Sequence, residues 1–323
     1  MTEFELIRRY FTHPARGATL GVGDDAALLR LSPRTELVVS ADMLVEGRHF
    51  FAGADPQRLG HKALAVNLSD LAAMGAKPRW VTLALALPRA DEKWLAGFSR
   101  GFMALAKRHS VSLVGGDTTR GPLNIAVQIM GEVPRGKALR RDGAKVGDDV
   151  WVSGYLGEAA MALDVLKGRN ARKVSPADRK ALEARLHEPT PRVALGTALR
   201  GTAHSAIDIS DGLVADLGHI CERSIVAAEI EWEAVPALPL VRAYAQTDRG
   251  ARALLAGGDD YELCFTASPR QRAAVTAAAA RARVHVTMVG RIVRKTGRAP
   301  LVLVRDSVGK PMSVPARGFD HFR

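Results

Sequence analysis

Carboxylates set beside glycine or serine, at the ends of apolar runs, recur in both halves of this chain and constrain its fold more than any other feature. The sharpest case is Asn67-Leu68-Ser69-Asp70, the one charged site in the neutral stretch from Ala65 to Gly75. An ionised aspartate is costly to bury unless a cation or strong hydrogen-bond donors meet it. The first half also holds Gly23-Asp24-Asp25, Asp42 at the end of an apolar run, and Gly115-Gly116-Asp117-Thr118-Thr119-Arg120. The second holds Asp208-Ile209-Ser210-Asp211-Gly212 and Gly258-Asp259-Asp260. Each half thus carries one [Asn/Asp]-apolar-Ser-Asp turn and one Gly-Asp-Asp turn, an echo that two related half-sites would explain.

The spacing between these motifs predicts the elements. An amphipathic helix is expected over 3–11, strands over 27–29 and 36–41, helices over 56–66 and 69–75, and a strand over 80–87. A helix over 91–108 and strands over 112–114 and 124–131 complete an α+β pattern. Near Gly143 to Asp149 glycine and charge replace periodicity. We therefore expect an N-terminal domain over 1–142, with a mixed sheet and helices, and a C-terminal α/β domain over 143–323. In the latter, Ser175, Pro176 and Asp178 mark a helix start, and Thr190-Pro191 mark another. Strands are expected over 150–153, 205–209, 227–231, 261–266, 284–292 and 301–304, and an Ala-rich helix over 269–282. The tail over 318–323 reads as a docked lid.

The chain of 323 residues is long enough for two cores. Its net charge of +12 raises nucleic-acid binding, but the basic residues are scattered and aromatics are only 5%, too few for a stacking platform. Cys221 and Cys264 fit neither a disulfide framework nor a zinc motif. No apolar run approaches the ~18–20 residues that span a bilayer. The acidic N-terminus lacks a signal-peptide core, so the cytoplasm is the expected location. No P-loop motif is present. Gly21-Val22-Gly23-Asp24-Asp25-Ala26 loosely matches a dinucleotide fingerprint, but two aspartates stand where a pyrophosphate would lie.

Singly, each aspartate could be a turn or capping residue. As a set they point elsewhere. Two carboxylates ~4 Å apart repel by roughly 4 kcal/mol at an effective dielectric near 20. Several together need bound cations, and carboxylates with water and phosphate oxygens are the ligand set of magnesium.

Six motifs, in order, carry a resemblance: Gly23-Asp24-Asp25-Ala26-Ala27; Asp42 with Val45-Glu46-Gly47-Arg48-His49-Phe50; Asn67 to Ala76; Gly115 to Thr119; Ser210-Asp211-Gly212-Leu213; and Gly258-Asp259-Asp260-Tyr261-Glu262-Leu263. They resemble the thiamine-monophosphate kinase family, within the aminoimidazole-ribonucleotide-synthetase-like superfamily of ATP-using enzymes. The resemblance implies that fold, and transfer of phosphate from ATP to thiamine phosphate to give thiamine diphosphate. It implies a homodimer through the N-terminal domains, several Mg²⁺ ions and ATP as co-substrate, with a monovalent cation a further candidate. By the same resemblance Asp25, Ser40, Asp42, Asp70, Asp117, Asp208 and Asp211 match metal positions. Gly116, Asp117, Arg141 and Ser210 match ATP contacts, and His49, Asp259 and Phe319 match thiamine-phosphate contacts. Asp70, Asp117 and Asp211 are the leading catalytic candidates, with Asp70 expected within metal-bridging distance of Asp117. Ala41, Asp259 and Phe319 depart from residues common in the family. Sister activities that use a reactive cysteine near either end find none here. The competing readings are a nucleotide- or RNA-binding protein without catalysis, and an ATP-dependent synthetase acting on another small phosphate.

Overall fold

The computed structural model describes residues 2–169, 174–297 and 300–313. Residues up to Leu71, with Ala76–Gly136, form one compact unit; Ala72–Gly75 and the chain from Lys137 form the other. Among the described residues no helix is long and apolar enough to cross a membrane.

The first unit opens with α1 (Glu3–Tyr10), started by a capping box of Thr2 and Glu5. Short strands β1 (Ala18–Leu20) and β2 (Leu28–Leu29) pair antiparallel. Then come β3 (Thr35–Val45), α2 (Pro56–Ala73), β4 (Lys77–Leu87), α3 (Glu92–Arg108), β5 (Ser112–Arg120) and β6 (Asn124–Pro134). The sheet runs β3-β6-β4-β5, with β4 and β5 parallel and the other pairs antiparallel. Leu64, Leu68 and Leu71 of α2, Phe98 and Phe102 of α3, and Trp80, Ile125 and Ile129 of the sheet are fully buried. Helices α2 and α3 meet at glycines: a Cβ on Gly101 would stand 1.8 Å from the Gln57 carbonyl oxygen.

Two sequence expectations are corrected here. Helix α2 does not break at Asn67 to Ser69. The Asn67 side chain turns back and its Nδ2 donates to the Ala63 carbonyl at 3.0 Å, so the polar residue sits inside the helix without ending it. Gly115 to Arg120 is strand, not turn. Gly116 adopts φ 148°, and a Cβ there would lie 1.9 Å from the Leu83 carbonyl oxygen, so only glycine lets the two strands approach. The echo between the halves therefore dissolves: Asn67 to Asp70 is mid-helix, whereas Asp208 to Asp211 leaves a strand.

The second unit contains β7 (Asp149–Ser153), α4 (Glu158–Leu166), α5 (Pro176–His187), α6 (Val193–Leu199), β8 (Ser205–Ile209), α7 (Leu213–Ser224) and β9 (Ala227–Glu231). After these come α8 (Pro239–Tyr244), α9 (Asp248–Ala256), β10 (Glu262–Ala267), α10 (Arg272–Ala282), β11 (Val286–Val293) and β12 (Val302–Arg305). The sheet order is β12-β9-β11-β7-β10-β8, and only β12 and β9 pair parallel, so this unit too is α+β. Strands β7, β8 and β10 are buried on both faces. Val150, Val152 and Cys264 point into one core, Trp151, Leu263 and Phe265 into a second. Ser175 caps α5 as expected, its Oγ accepting the Asp178 N–H at 3.1 Å. The short helices α8 and α9 were not expected, although Pro239 at the start of one and Thr247, which caps the other, were available signals. Phe319 and the expected lid lie outside the described residues.

Candidate functional site

In the first unit the period-2 geometry of β3 meets the i, i+3 geometry of α2. Ser40 and Asp42 share one face of the strand; Asn67 and Asp70 share one face of the helix. Ser40 Oγ donates to Asp70 Oδ2 at 2.5 Å, and the Asp42 N–H donates to Asn67 Oδ1 at 3.2 Å. Asn67, absent from the sequence-based site, is thus a second link between β3 and α2. Just beyond β3, His49 closes a turn in which its Nδ1 accepts the Val45 N–H at 3.0 Å. That bond fixes the neutral tautomer with its proton on Nε2.

A second group lies on a cavity of about 780 Å³. Its lining includes Asp24, Asp25, Gly115, Gly116, Asp117 and Thr118, with Phe4, Ile7 and Arg8 of α1 on another wall. Asp25 and Asp117 are both exposed there. The sheet order sets this group apart from the first. Asp70 is tied to β3 at one edge, and Asp117 stands on β5 at the other. Three strand spacings make ~14 Å between those edges. The expectation that one ion bridges Asp70 and Asp117 of a single chain is not met by this topology.

In the second unit, β8 delivers Asp208 and then Ser210 and Asp211 to the turn before α7. The segment 257–261 packs onto that turn backbone to backbone. The Asp259 N–H donates to the Ser210 carbonyl at 2.9 Å and the Tyr261 N–H to that of Ile209 at 2.8 Å. A Cβ on Gly258 would stand 2.3 Å from the Ser210 oxygen. Asp259 and Tyr261 take φ of 69° and 50°, left-handed values that a non-glycine residue holds only where its surroundings impose them. Arg141 lies elsewhere. Its carbonyl accepts from Ser224 at the far end of α7, and the Arg140 carbonyl accepts from Ala206 at the start of β8. A 12-residue helix separates it from Ser210, ~18 Å along the axis. Ser210, Asp211 and Asp259 are brought together; Arg141 is not brought to them.

Two positions that the sequence reading did not place in the site stand behind this turn. Asp216, buried in the first turn of α7, accepts from the N–H groups of Ser210, Asp211 and Gly212. Burial pushes its carboxyl up to about 7; the Asp211 N–H bond opposes this, and the charges of Asp208 and Asp211 add to it. An acidic residue early in a helix that follows Ser-Asp-Gly was the available signal. Glu262, fully buried at the start of β10, is a hub. It accepts from Ser153 Oγ at 2.6 Å, Arg185 at 3.0 Å and Arg192 Nε at 2.6 Å. Beside it, burial raises the carboxyls of Glu158 and Asp260, the Asp260 oxygens also accepting the Gly157 N–H.

Among the described residues, no group of three His, Cys, Asp or Glu side chains is arranged to hold a metal ion on its own. The donors stand in smaller sets of carboxylate and hydroxyl oxygens, such as Asp25 with Asp117 on one cavity. Such sets fit magnesium, which takes one or two carboxylates and completes its shell with water and substrate phosphates.

The matches to known proteins agree with this architecture. Residues 23–133 match the N-terminal domain of AIR synthase related proteins, and residues 145–301 match their C-terminal domain. The thiamine-monophosphate kinase of Salmonella typhimurium is 44% identical over 324 residues, covering 99% of this chain and 98% of the relative. The crystal structure of thiamine-monophosphate kinase from Stenotrophomonas maltophilia superposes with a TM-score of 0.83 at 48% identity, covering 92% of this chain and 93% of that one. A structure described as AaThiL complexed with AMPPCP and TMP superposes at 0.77 with 31% identity, covering 93% and 92%. On full-length identity and on both domains, the chain belongs to the thiamine-monophosphate kinase family.

Proposed function

We propose that this protein transfers the γ-phosphoryl group of ATP to thiamine phosphate, in line, giving ADP and thiamine diphosphate. The observation that carries the reading is the cavity in which Asp25 and Asp117 flank the Gly115-Gly116 backbone. A relative described with AMPPCP and TMP supports the choice of substrates. Glycine lets a strand approach phosphate without side-chain obstruction, and paired carboxylates suit phosphates that arrive with magnesium. Bound Mg²⁺ would neutralise charge on the phosphates as they approach each other. Asp25, Ser40, Asp42, Asp70, Asp117, Asp208 and Asp211 would hold the ions. Gly116, Ser210 and Arg141 would touch ATP, and His49 would donate from Nε2 to thiamine phosphate, alongside Asp259 and Phe319. The attacking phosphate oxygen is already anionic at neutral pH, so no side chain need act as general base. Full-length protein with ATP, thiamine phosphate and Mg²⁺ is expected to yield thiamine diphosphate, and none with EDTA. Folded protein that forms no product overturns the reading.

The proposal includes a homodimer through the first unit. On the face of β3 opposite Ser40 and Asp42, Leu37, Val39 and Met43 are 44–56% exposed, a row of apolar side chains on an edge strand. Such a patch is a liability in a monomer and an interface in an oligomer. A second copy would cover it and could supply its β5 edge, with Asp25 and Asp117, to the β3 edge of the first. Sedimentation is expected to show dimers for the wild type and monomers for Val39→Asp. A Val39→Asp dimer of unchanged affinity would remove this face from the interface.

A further inference from the structure

Backbone groups along the Ile209 to Gly212 turn are answered from two sides. Three consecutive N–H groups, of Ser210, Asp211 and Gly212, donate to a single atom, Asp216 Oδ2, at 3.0, 3.0 and 3.1 Å. The carbonyls of Ile209 and Ser210 accept from Tyr261 and Asp259 at 2.8 and 2.9 Å, and that of Gly212 accepts from the Asp216 N–H at 3.0 Å. Consecutive amides aimed at one point form an anion nest, the arrangement that cradles phosphate in many nucleotide sites. Here the chain fills its own nest with a buried carboxylate. These three amides are closed to phosphate. The Ser210 carbonyl also carries Asp259, whose left-handed backbone depends on that support.

We propose that Asp216 is a positioning residue. Its carboxylate locks the Ser210-Asp211-Gly212 turn so that the Asp211 carboxylate and Ser210 hydroxyl are presented in fixed geometry, and it holds Asp259 in place through the Ser210 carbonyl. The proposal rests on the kinase reading above and deepens it: Asp216 touches no substrate, yet sets how tightly metal and nucleotide are held. Replacing it by asparagine keeps the shape and an acceptor oxygen but removes the negative charge on which the three N–H groups converge.

Amide hydrogen exchange followed by NMR on the full chain tests the local claim without any variant. The Ser210, Asp211 and Gly212 amides should be protected as strongly as those inside β8, and exchange at open-turn rates would overturn the proposal. In Asp216→Asn those three amides are expected to exchange at least tenfold faster. Calorimetric titration with Mn²⁺ and an ATP analogue is expected to show affinity weakened roughly tenfold. In turnover the half-saturating Mg²⁺ concentration should rise by a similar factor, with a smaller change in kcat. Cys221→Ala, in the core-facing side of the same helix, is the control for mere destabilisation and should change the melting temperature but none of these readouts. Unchanged metal and nucleotide affinity in Asp216→Asn, with an active wild type, sinks the positioning role. A wild type that forms no thiamine diphosphate sinks the kinase reading instead and leaves the exchange result standing.

Discussion

Asp70→Asn is expected to lower kcat for thiamine diphosphate formation, under the reading proposed above, by at least ~10²-fold, the scale of losing one strong transition-state contact. The substitution is nearly isosteric. Its amide oxygen can still accept the Ser40 hydroxyl, which now donates to Asp70 at 2.5 Å, so β3 and α2 remain joined. What disappears is the negative charge that the Ser40 hydroxyl answers. Phosphoryl transfer between two anionic groups depends on cations held in place by such charges. The measurement is initial rate against Mg²⁺ concentration, with a thermal melt as control. An intact fold with wild-type turnover would take Asp70 out of the reaction.

Glu262→Gln has the largest expected effect on stability. Its carboxylate answers two arginines and a serine inside the second unit, where Gly154 leaves room: a Cβ there would stand 2.2 Å from Glu262 Oε1. Removing one partner of a buried ion pair leaves the other charge unanswered and costs ~3–5 kcal/mol. Glu158 Oε2, 3.4 Å from Arg185 Nε, still answers that arginine, so the loss falls mainly on Arg192. For a unit of this size the loss corresponds to a fall in melting temperature on the order of 10 °C. Calorimetry reads it directly, and a melting temperature within a degree of wild type would show the hub to be energetically neutral. The hub also borders the strained segment at Asp259 to Tyr261, so the variant should lose affinity for thiamine phosphate before it loses its fold.

Much of the chain could be read without coordinates where a local rule governs. Ser175-Pro176 starts a helix because a side-chain acceptor and a residue lacking an N–H suit the first turn. Strand β8 and the turn at Ser210 follow from an apolar run broken by Ser-Asp-Gly. Where two local rules compete, the reading failed. Asn67 to Asp70 has turn chemistry, yet the Asn67 side chain bonds back to Ala63 and the helix continues. Gly115-Gly116 looks like a turn and is a strand, because a residue without a Cβ leaves room for the Leu83 carbonyl that only the sheet brings near.

The same division holds for the site. The sequence alone determined the family and named the residue types expected to carry chemistry: carboxylates and hydroxyls beside glycine, with no P-loop motif. Tertiary structure alone decided who stands beside whom. It put Ser40 against Asp70, separated both from Asp117 by the width of a sheet, sent Arg141 to the far end of α7, and set Asp216, absent from the sequence reading, and Glu262, named there only within a motif, behind the turns that present Asp211 and Asp259. The reason is physical. Residue chemistry is local and is written in the chain, but electrostatic partnership depends on distances of a few ångströms, set by strand order and helix packing across long separations in sequence.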